Sequence, residues 1–532
     1  MAAMLEVKNL KVVFHQNCNP VVAVNEFSFS ITSGETLGLV GESGSGKTVS
    51  SLALLGLLNN KNVSISGNAF LNLQQPVDLL QLTEKQLTAI RGRHIAMIMQ
   101  EPMQAFNPLF TCGHQVAETI RKHTALNKND AIEKVLQLFE KVKLPNPLQI
   151  SKRYPHQLSG GQLQRVAIAM AISCNPSLLI ADEPTTALDA SVQKDILVLL
   201  QQLQSENNMS MLFISHDLEA VKLIAHRTLV VHAGQIVEQG KTETLFAHPI
   251  QDYTKELLQS RLSTFKKNSV IGEKIILSVE NLNKSYNQRQ GLLRSPKNIT
   301  NAVDNISFTI KQGETLGIAG ESGSGKTTLA KLLLRLIETD SGKIKLNEED
   351  LTHYPIRTKQ EWRKKIQAVF QNPHGSLDPE MTVGRQLTEV MQLHDSPQNA
   401  TIVKNKIIDW FEKVGLTEQH FNRFPHELSS GQKQRLCIAR ALIPAPDLLI
   451  CDEAVSALDV SVQAKILELI NSLQQQFHFG CIFISHDLKV IRQMCDNVLV
   501  MKDGKADCYL ETEKLFKQPP TTYSEILLKS IL

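Results

Sequence analysis

The sequence predicts an α/β chain of two similar halves, each with a mostly parallel sheet at its core, and three observations carry that prediction. A glycine-rich loop, Gly41-Glu42-Ser43-Gly44-Ser45-Gly46-Lys47-Thr48, lies between a short apolar strand (36–40) and an apolar helix (49–58). The loop returns as Gly320-Glu321-Ser322-Gly323-Ser324-Gly325-Lys326-Thr327, again between an apolar strand (315–319) and an apolar helix (329–336). Later polar landmarks then recur in order, 270 or 271 residues apart, which marks a duplicated unit.

The loop is a phosphate cradle in the strand-to-helix context that such a motif requires. Glycines free backbone N–H groups to wrap an anion at a helix N-terminus, where the helix dipole adds to the attraction. Lys47 and Lys326 would reach the terminal phosphates of a nucleotide, and Thr48 and Thr327 would each offer a hydroxyl to Mg2+.

Bulk composition narrows the field. At 532 residues the chain is too long for one core. A net charge of +3, from 56 basic and 53 acidic residues, asks for no polyanionic partner, so no nucleic acid is expected. No apolar run approaches the length of a membrane span, and the N-terminus has no basic start followed by an apolar segment, so the chain is expected to be cytosolic. The eight cysteines are scattered without metal or redox spacing, as in a reducing compartment.

Along the first half, 5–14 and 26–31 read as strands of a small antiparallel sheet, with Phe27, Phe29 and Ile31 on one face. Phe14 ends its strand, where it could stack on a base or serve as a core residue. The strand 95–99 ends at Gln100, before a turn-rich stretch that contains Pro102 and Pro108. Helical patterns fill 113–145. Ser159 then caps a helix that opens with Gly160, Gly161 and Gln162, a second anion-binding device. The strand 178–181 delivers Asp182 and Glu183, an acidic pair suited to metal-assisted phosphoryl transfer: one carboxylate holds Mg2+, the other deprotonates a water. Asp189 follows, and the strand 211–214 ends at His216.

The second half repeats these groups as Tyr286, Gln371, Ser429, Asp452, Glu453, Asp459 and His486. A drifting structural duplication need not preserve every one of them, so the functional reading is favoured at each. The second half also carries an extra basic loop, 287–297, and residues 246–274 join the halves as a poorly periodic linker and tail. The expected domains are therefore 1–245 and 275–532.

The set of the cradle, Gln100, the signature Leu158-Ser159-Gly160-Gly161-Gln162, Asp182-Glu183, Asp189 and His216 resembles the nucleotide-binding domains of ABC transporters, and does so twice. Tyr154-Pro155-His156, Phe424-Pro425-His426 and the tails with Pro249, Tyr253, Pro519, Pro520 and Tyr523 resemble the oligopeptide, dipeptide and nickel importer branch, and the fused form resembles the ATPase of microcin C-type peptide importers. The resemblance implies two tandem P-loop ATPase domains, each a mostly parallel sheet core with a small antiparallel β subdomain and a helical signature subdomain. It implies that the halves pair within the chain over two ATP molecules, with Lys47 and Thr48 facing Ser429, Ser430, Gly431 and Gln432, and Lys326 and Thr327 facing Ser159 to Gln162.

Under the same resemblance Gly41, Ser43, Gly44, Gly46 and Gly320, Ser322, Gly323, Gly325 would line the phosphates, and Phe14 and Tyr286 would stack on adenine. Glu183 and Glu453 would be general bases, His216 and His486 would contact the γ-phosphate, and Thr48, Gln100, Asp182 with Thr327, Gln371, Asp452 would serve Mg2+. Two transmembrane permease subunits, and through them an extracytoplasmic solute-binding protein, would be the partners, with the chain peripheral on the cytoplasmic face of the bacterial inner membrane. Two departures stand out. Ser430 replaces the usual glycine of the second signature, where a Cβ is expected to restrict the backbone and weaken the site built on Lys47, and Ala454 replaces Pro184 after the second acid.

The cargo expected from the fused form is peptide, with nickel or glutathione as alternatives. A soluble tandem ATPase acting on ribosomes is a different class, but those proteins join their halves by a long charged helix that 246–274 does not resemble. DNA-repair ATPases of similar fold carry long insertions between cradle and signature, whereas Lys47 and Ser159 are only 112 residues apart.

Overall fold

A computed structural model of the chain describes residues 3–15, 20–42, 44–58, 62–186, 188, 190–259, 270–288, 298–321, 323–354, 361–394, 399–456 and 458–529. Ser43, Ser322, Asp189, Cys18, the linker lysines 266–267 and residues 289–297 of the basic loop lie outside them. The chain divides into two units, one built mainly from residues 1–262 and the other mainly from 263–531.

In the first unit, β1 (Ala3–His15), β2 (Pro20–Thr32), β4 (Val63–Asn72) and β5 (Pro76–Asp78) form an antiparallel sheet in the order β2-β1-β4-β5. On β2 the buried Phe27, Phe29 and Ile31 alternate with outward serines, the pattern of a sheet covered on one face.

The second sheet has the order β10-β9-β3-β8-β7-β6, from β3 (Thr36–Val40), β6 (Ile95–Ile98), β7 (Leu178–Asp182), β8 (Ser210–Ile214), β9 (Arg227–His232) and β10 (Gln235–Lys241). All pairings are parallel except the β9–β10 edge. Every residue of β3, β7 and β8 is buried, because both faces of this sheet are covered. Leu178 and Ile180 enter the core shared with the antiparallel sheet, while Leu179 and Ala181 enter the helical core on the other side. The period of two therefore fixes which face each carboxylate at the end of β7 belongs to.

The second unit repeats the plan. β11 (Ile275–Gln288), β12 (Asn298–Lys311), β14 (Ser341–Leu346) and β15 (Glu349–Asp350) run in the order β12-β11-β14-β15. β13 (Thr315–Ala319), β16 (Ile366–Val369), β17 (Leu448–Asp452), β18 (Gly480–Ile484), β19 (Asn497–Lys502) and β20 (Lys505–Glu511) run in the order β16-β17-β18-β13-β19-β20.

The helix after each cradle starts earlier than the apolar pattern suggests, at Lys47 and Lys326, because the lysine and threonine are themselves its first turn. The stretch read as a poorly periodic tail holds the helix Asp252–Gln259, too short for periodicity to reveal. Among the described residues no helix is long and apolar enough to cross a membrane, and the seven described cysteines are free thiols.

Candidate active site

The cradle of the first unit is built where buried β3 hands over to the helix Lys47–Leu54. Gly46 has φ 100°, and a Cβ there would strike the Ala23 carbonyl on β2. Gly325 has φ 104° and meets the Ala302 carbonyl in the same way, so only glycine lets the loop run against the antiparallel sheet. The Lys47 ammonium is almost wholly buried and donates to the carbonyls of Gly41 and Glu42, both at 2.7 Å. Lys326 does the same with Gly320 and Glu321, at 2.7 and 2.8 Å. Burial pulls the Lys47 pKa down, with the Glu183 and Asp182 carboxylates working against it.

Thr48, in the first turn of its helix, directs its hydroxyl to Asp182 Oδ1 at 3.3 Å. Asp182 is the last residue of β7 and fully buried, and burial pushes its carboxyl up to about 6 despite the Thr48 hydrogen bond. Asp452 ends β17 and is raised for the same reason, with the neighbouring Glu453 charge adding to it. A hydroxyl beside a carboxylate is a hard-oxygen donor set of the kind Mg2+ accepts, and Mg2+ usually takes only one or two protein ligands with phosphates and water completing its shell. Among the described residues no cluster of three or more His, Cys, Asp or Glu side chains could hold a metal by itself.

The chain turns sharply after each strand. Glu183 and Glu453 have φ 47° and 49°, a left-handed conformation uncommon for a residue with a side chain. Their N–H groups are held by the carbonyls of Ile214 and Ile484 on the adjacent strands, at 2.8 and 3.0 Å. The turn aims each carboxylate at a histidine from the next strand end: His216 Nδ1 is 3.1 Å from Glu183 Oε1, and His486 Nδ1 is 3.5 Å from Glu453 Oε1. His216 is presented because Ser215 Oγ accepts the Asp217 N–H at 2.9 Å and Asp217 caps the following helix.

The other oxygen of each acid accepts from the glutamine at the end of the edge strand, Gln100 to Glu183 and Gln371 to Glu453, both at 2.7 Å. Thr186 adds a bond of 2.9 Å to the same Glu183 oxygen, whereas Ser456 turns instead to the Glu453 backbone carbonyl. Burial pushes the Glu183 pKa up, but the hydrogen bond and charge of His216 with the Thr186 bond outweigh it and hold the carboxyl low. In the second unit the His486 hydrogen bond is the largest influence and the result is the same. Burial opposes the charge on His216, but the Glu183 hydrogen bond and charge prevail and raise its pKa.

Within each unit the structure thus brings together cradle lysine, aspartate, glutamate, glutamine and histidine, and in the first unit Thr48 joins them through Asp182. Each signature opens a capped helix. Ser159 Oγ accepts the Gln162 N–H at 3.3 Å, and Gln162 Oε1 accepts the Ser159 N–H at 3.3 Å, a capping box that Ser429 and Gln432 repeat. Gly161 and Gly431 lie where a Cβ would meet Val192 and Val462 at 2.7 Å, so each lets its helix press on the next. Gly160 has ordinary φ, and a Cβ there would make only a normal 3.5 Å contact with Leu188. The backbone restriction expected of Ser430 is therefore absent: as the first residue of the helix Ser430–Leu442, it needs no conformation that a side chain resists.

Pro184 accepts a 2.7 Å bond from buried Gln164, while the equivalent Gln434 amide nitrogen has no partner among the described residues where Ala454 replaces the proline. Phe14 sits half-buried on β1, paired with Val21 and Val63, and Tyr286 is 42% exposed on β11. Asp459 is half-buried just before the helix Val460–Phe477. Sequence reasoning did not foresee the left-handed glutamates or Thr186. It noted Tyr253 and Tyr523 only as tail residues, yet each reaches a cradle.

Two nucleotide cradles, each with an acid, a histidine and a glutamine at neighbouring strand ends and a capped signature helix, define an ATP-hydrolysing cassette protein. A family model described as ABC transporter matches residues 24–186 and 303–456, and the chain belongs to that family, with two cassettes fused in one polypeptide. It is 40% identical over 558 positions to the glutathione import ATP-binding protein GsiA of Shigella dysenteriae serotype 1, covering 99% of this chain and 89% of that protein. It is 39% identical over the same length to the GsiA of Salmonella typhi, with the same coverage. A solved structure from Clostridium perfringens, part of an ABC transporter complex, is 28% identical with a TM-score of 0.41 and covers 46% of this chain and 92% of that one. The recognition of a fused, two-cassette ATPase of the oligopeptide, dipeptide and nickel importer branch therefore holds, and the chain binds ATP and couples its hydrolysis to transport.

Proposed function

We propose that this chain energises uptake of small peptides, glutathione first among them, through two separate permease subunits served by an extracytoplasmic solute-binding protein. The relatives at 39–40% identity are named for glutathione import, a cargo that the sequence reading held as an alternative to peptide, and this favours glutathione. The chain would act at the cytoplasmic face of the inner membrane. The observation that carries the hydrolytic part is the bond pattern around Glu183 and Glu453: each accepts from a histidine on one oxygen and a glutamine on the other.

In this reading Glu183 and Glu453 take the proton of the attacking water, and His216 and His486 orient the acid and meet the γ-phosphate. Lys47 and Lys326 leave the loop carbonyls for the phosphates, and Thr48 with Asp182, and Thr327 with Asp452, hold Mg2+. The ion would supply charge neutralisation on the phosphates. Gln100 and Gln371, at strand ends beside turn-rich loops, would link hydrolysis to the permeases. Pairing of the two halves over two ATP molecules, Phe14 and Tyr286 as adenine platforms, and the domain limits 1–245 and 275–532 rest on the family resemblance.

The test is ATPase activity of the chain with its permease pair in lipid, with and without a solute-loaded binding protein. Glu183→Gln with Glu453→Gln should lower turnover by about 100-fold or more while nucleotide still binds. Stimulation by glutathione over unrelated peptides would name the cargo; stimulation by longer peptides alone would move it within the class; indifference to the permeases would sink the transport assignment.

A further inference from the structure

Tyr253 and Tyr523 stand 270 residues apart, each shortly after proline, and the hydrolytic site leaves them unused. Tyr253 lies in the helix Asp252–Gln259 and Tyr523 in the helix Thr522–Lys529. The Tyr253 hydroxyl accepts the backbone N–H of Glu42 at 3.3 Å, and the Tyr523 hydroxyl accepts that of Glu321 at 3.3 Å. Both glutamates are the second residue of a cradle.

The supports around this shared bond differ. The Tyr253 ring lies against His232, with centroids 4.0 Å apart, whereas the Tyr523 ring lies under the Lys502 ammonium at 4.8 Å. The first tail is pinned by the Glu238 carboxylate, which accepts the N–H groups of Ile250 and Gln251 at 2.9 and 3.0 Å. The second is pinned through Thr521, which bonds to Asp507 and Ser524. What the two units have in common is the hydroxyl on the cradle, not the packing that delivers it.

Peptide geometry says why that matters. The Gly41 carbonyl and the Glu42 N–H belong to one rigid peptide plane. Lys47 Nζ holds the carbonyl end at 2.7 Å and Tyr253 holds the N–H end; Lys326 and Tyr523 hold the Gly320–Glu321 plane in the same way. A lysine that swings to a phosphate gives up its end of the plane, and the tyrosine is then the clamp that remains. Burial pushes the Tyr253 phenol up to about 12, so it stays protonated at any working pH.

We propose that Tyr253 and Tyr523 are positioning residues for ATP, fixing the first peptide plane of each cradle once its lysine has moved to the nucleotide. The proposal rests on the reading of the cradles as ATP sites. Tyr253→Phe with Tyr523→Phe removes the hydroxyls and keeps the rings. On the full chain, the Kd for a non-hydrolysable ATP analogue and the KM for ATP should rise about three- to tenfold, because the hydroxyl is worth more once the lysine has left the plane, with kcat unchanged and the nucleotide-free Tm lowered only slightly.

Unchanged nucleotide affinity would overturn the proposal, and so would a fall in nucleotide-free Tm that accounts for the loss, since that marks a tail which only staples the fold. Lys47→Ala with Lys326→Ala separates the two levels. If that variant still binds the analogue as wild type does, the cradles are not the ATP sites. If it loses binding and the phenylalanine variant does not, only the role of the tyrosines fails.

Discussion

At Glu183 and Glu453 a carboxylate sits on a backbone that ordinarily favours glycine or asparagine, with φ 47° and 49°. Strain of this kind costs on the order of 1 kcal/mol and persists where the surroundings over-determine it. Here the adjacent-strand carbonyl holds the N–H, and the histidine and glutamine hold the carboxylate. The histidine also keeps Glu183 ionised, since burial alone would push its pKa up. In His216→Ala the acid limb of the ATPase pH profile should therefore move to higher pH, because burial then acts with less opposition; a limb that stays in place would show that His216 does not set the charge of Glu183. The pair also has a stability window. Glu183 is lowered by folding, so its contribution is lost as pH falls through its folded pKa. His216 is raised, so its contribution is lost as pH rises through its own.

At the scale of elements, the signature helices separate two glycines that look alike in sequence. Gly161 packs where a Cβ would meet Val192 at 2.7 Å, whereas a Cβ on Gly160 makes an ordinary 3.5 Å contact. Gly160→Ser, which installs what the second unit already carries as Ser430, should leave Tm essentially unchanged. Gly161→Ser should destabilise by about 1–3 kcal/mol through overpacking, read from denaturant unfolding. Equal losses from the two would refute the packing account. The same helices carry a guanidinium each, Arg165 to the Val142 carbonyl at 2.8 Å and Arg435 to the Val414 carbonyl at 2.6 Å, where the helices Lys128–Lys141 and Ala400–Lys413 end. The signature helix thereby closes off the helix that precedes it in the helical subdomain.

Across the molecule, each unit sets an acid at a strand end, fully buried as Asp182 and half-buried as Asp452, whose charge the cradle lysine offsets only in part. Folding raises the Asp182 pKa to about 6 and raises that of Asp452, so the folded state binds more protons and loses stability as pH climbs from the ordinary carboxylate range through that window. A Mg2+ bound beside these carboxylates would recover that cost. The rise in Tm from Mg2+ with a non-hydrolysable ATP analogue, relative to the analogue alone, should be larger at pH 7.5 than at pH 5.5. Apparent Mg2+ affinity should fall up to about tenfold per pH unit below about 6. A Mg2+ increment independent of pH would mean that these aspartates do not face the ion.

Much of this protein was legible in its sequence because its chemistry is local. The cradles, the acidic pairs and the capped signatures are short runs, and their repetition at near-constant offset identified two cassettes without any contact map. The short runs 36–40, 178–181 and 211–214 were readable as strands, and the structure buries every residue of β3, β7 and β8. Tertiary structure decided what depends on distant segments meeting. It set the left-handed turn that swings Glu183 onto His216, and the choice of Gly161 over Gly160 as the close-packed position. It also brought Tyr253, 211 residues downstream, onto Glu42. Local pattern records which way a side chain faces along its own strand or helix. Which partner waits there is set by the register and packing of elements far away in the chain, and one linear sequence does not display that register.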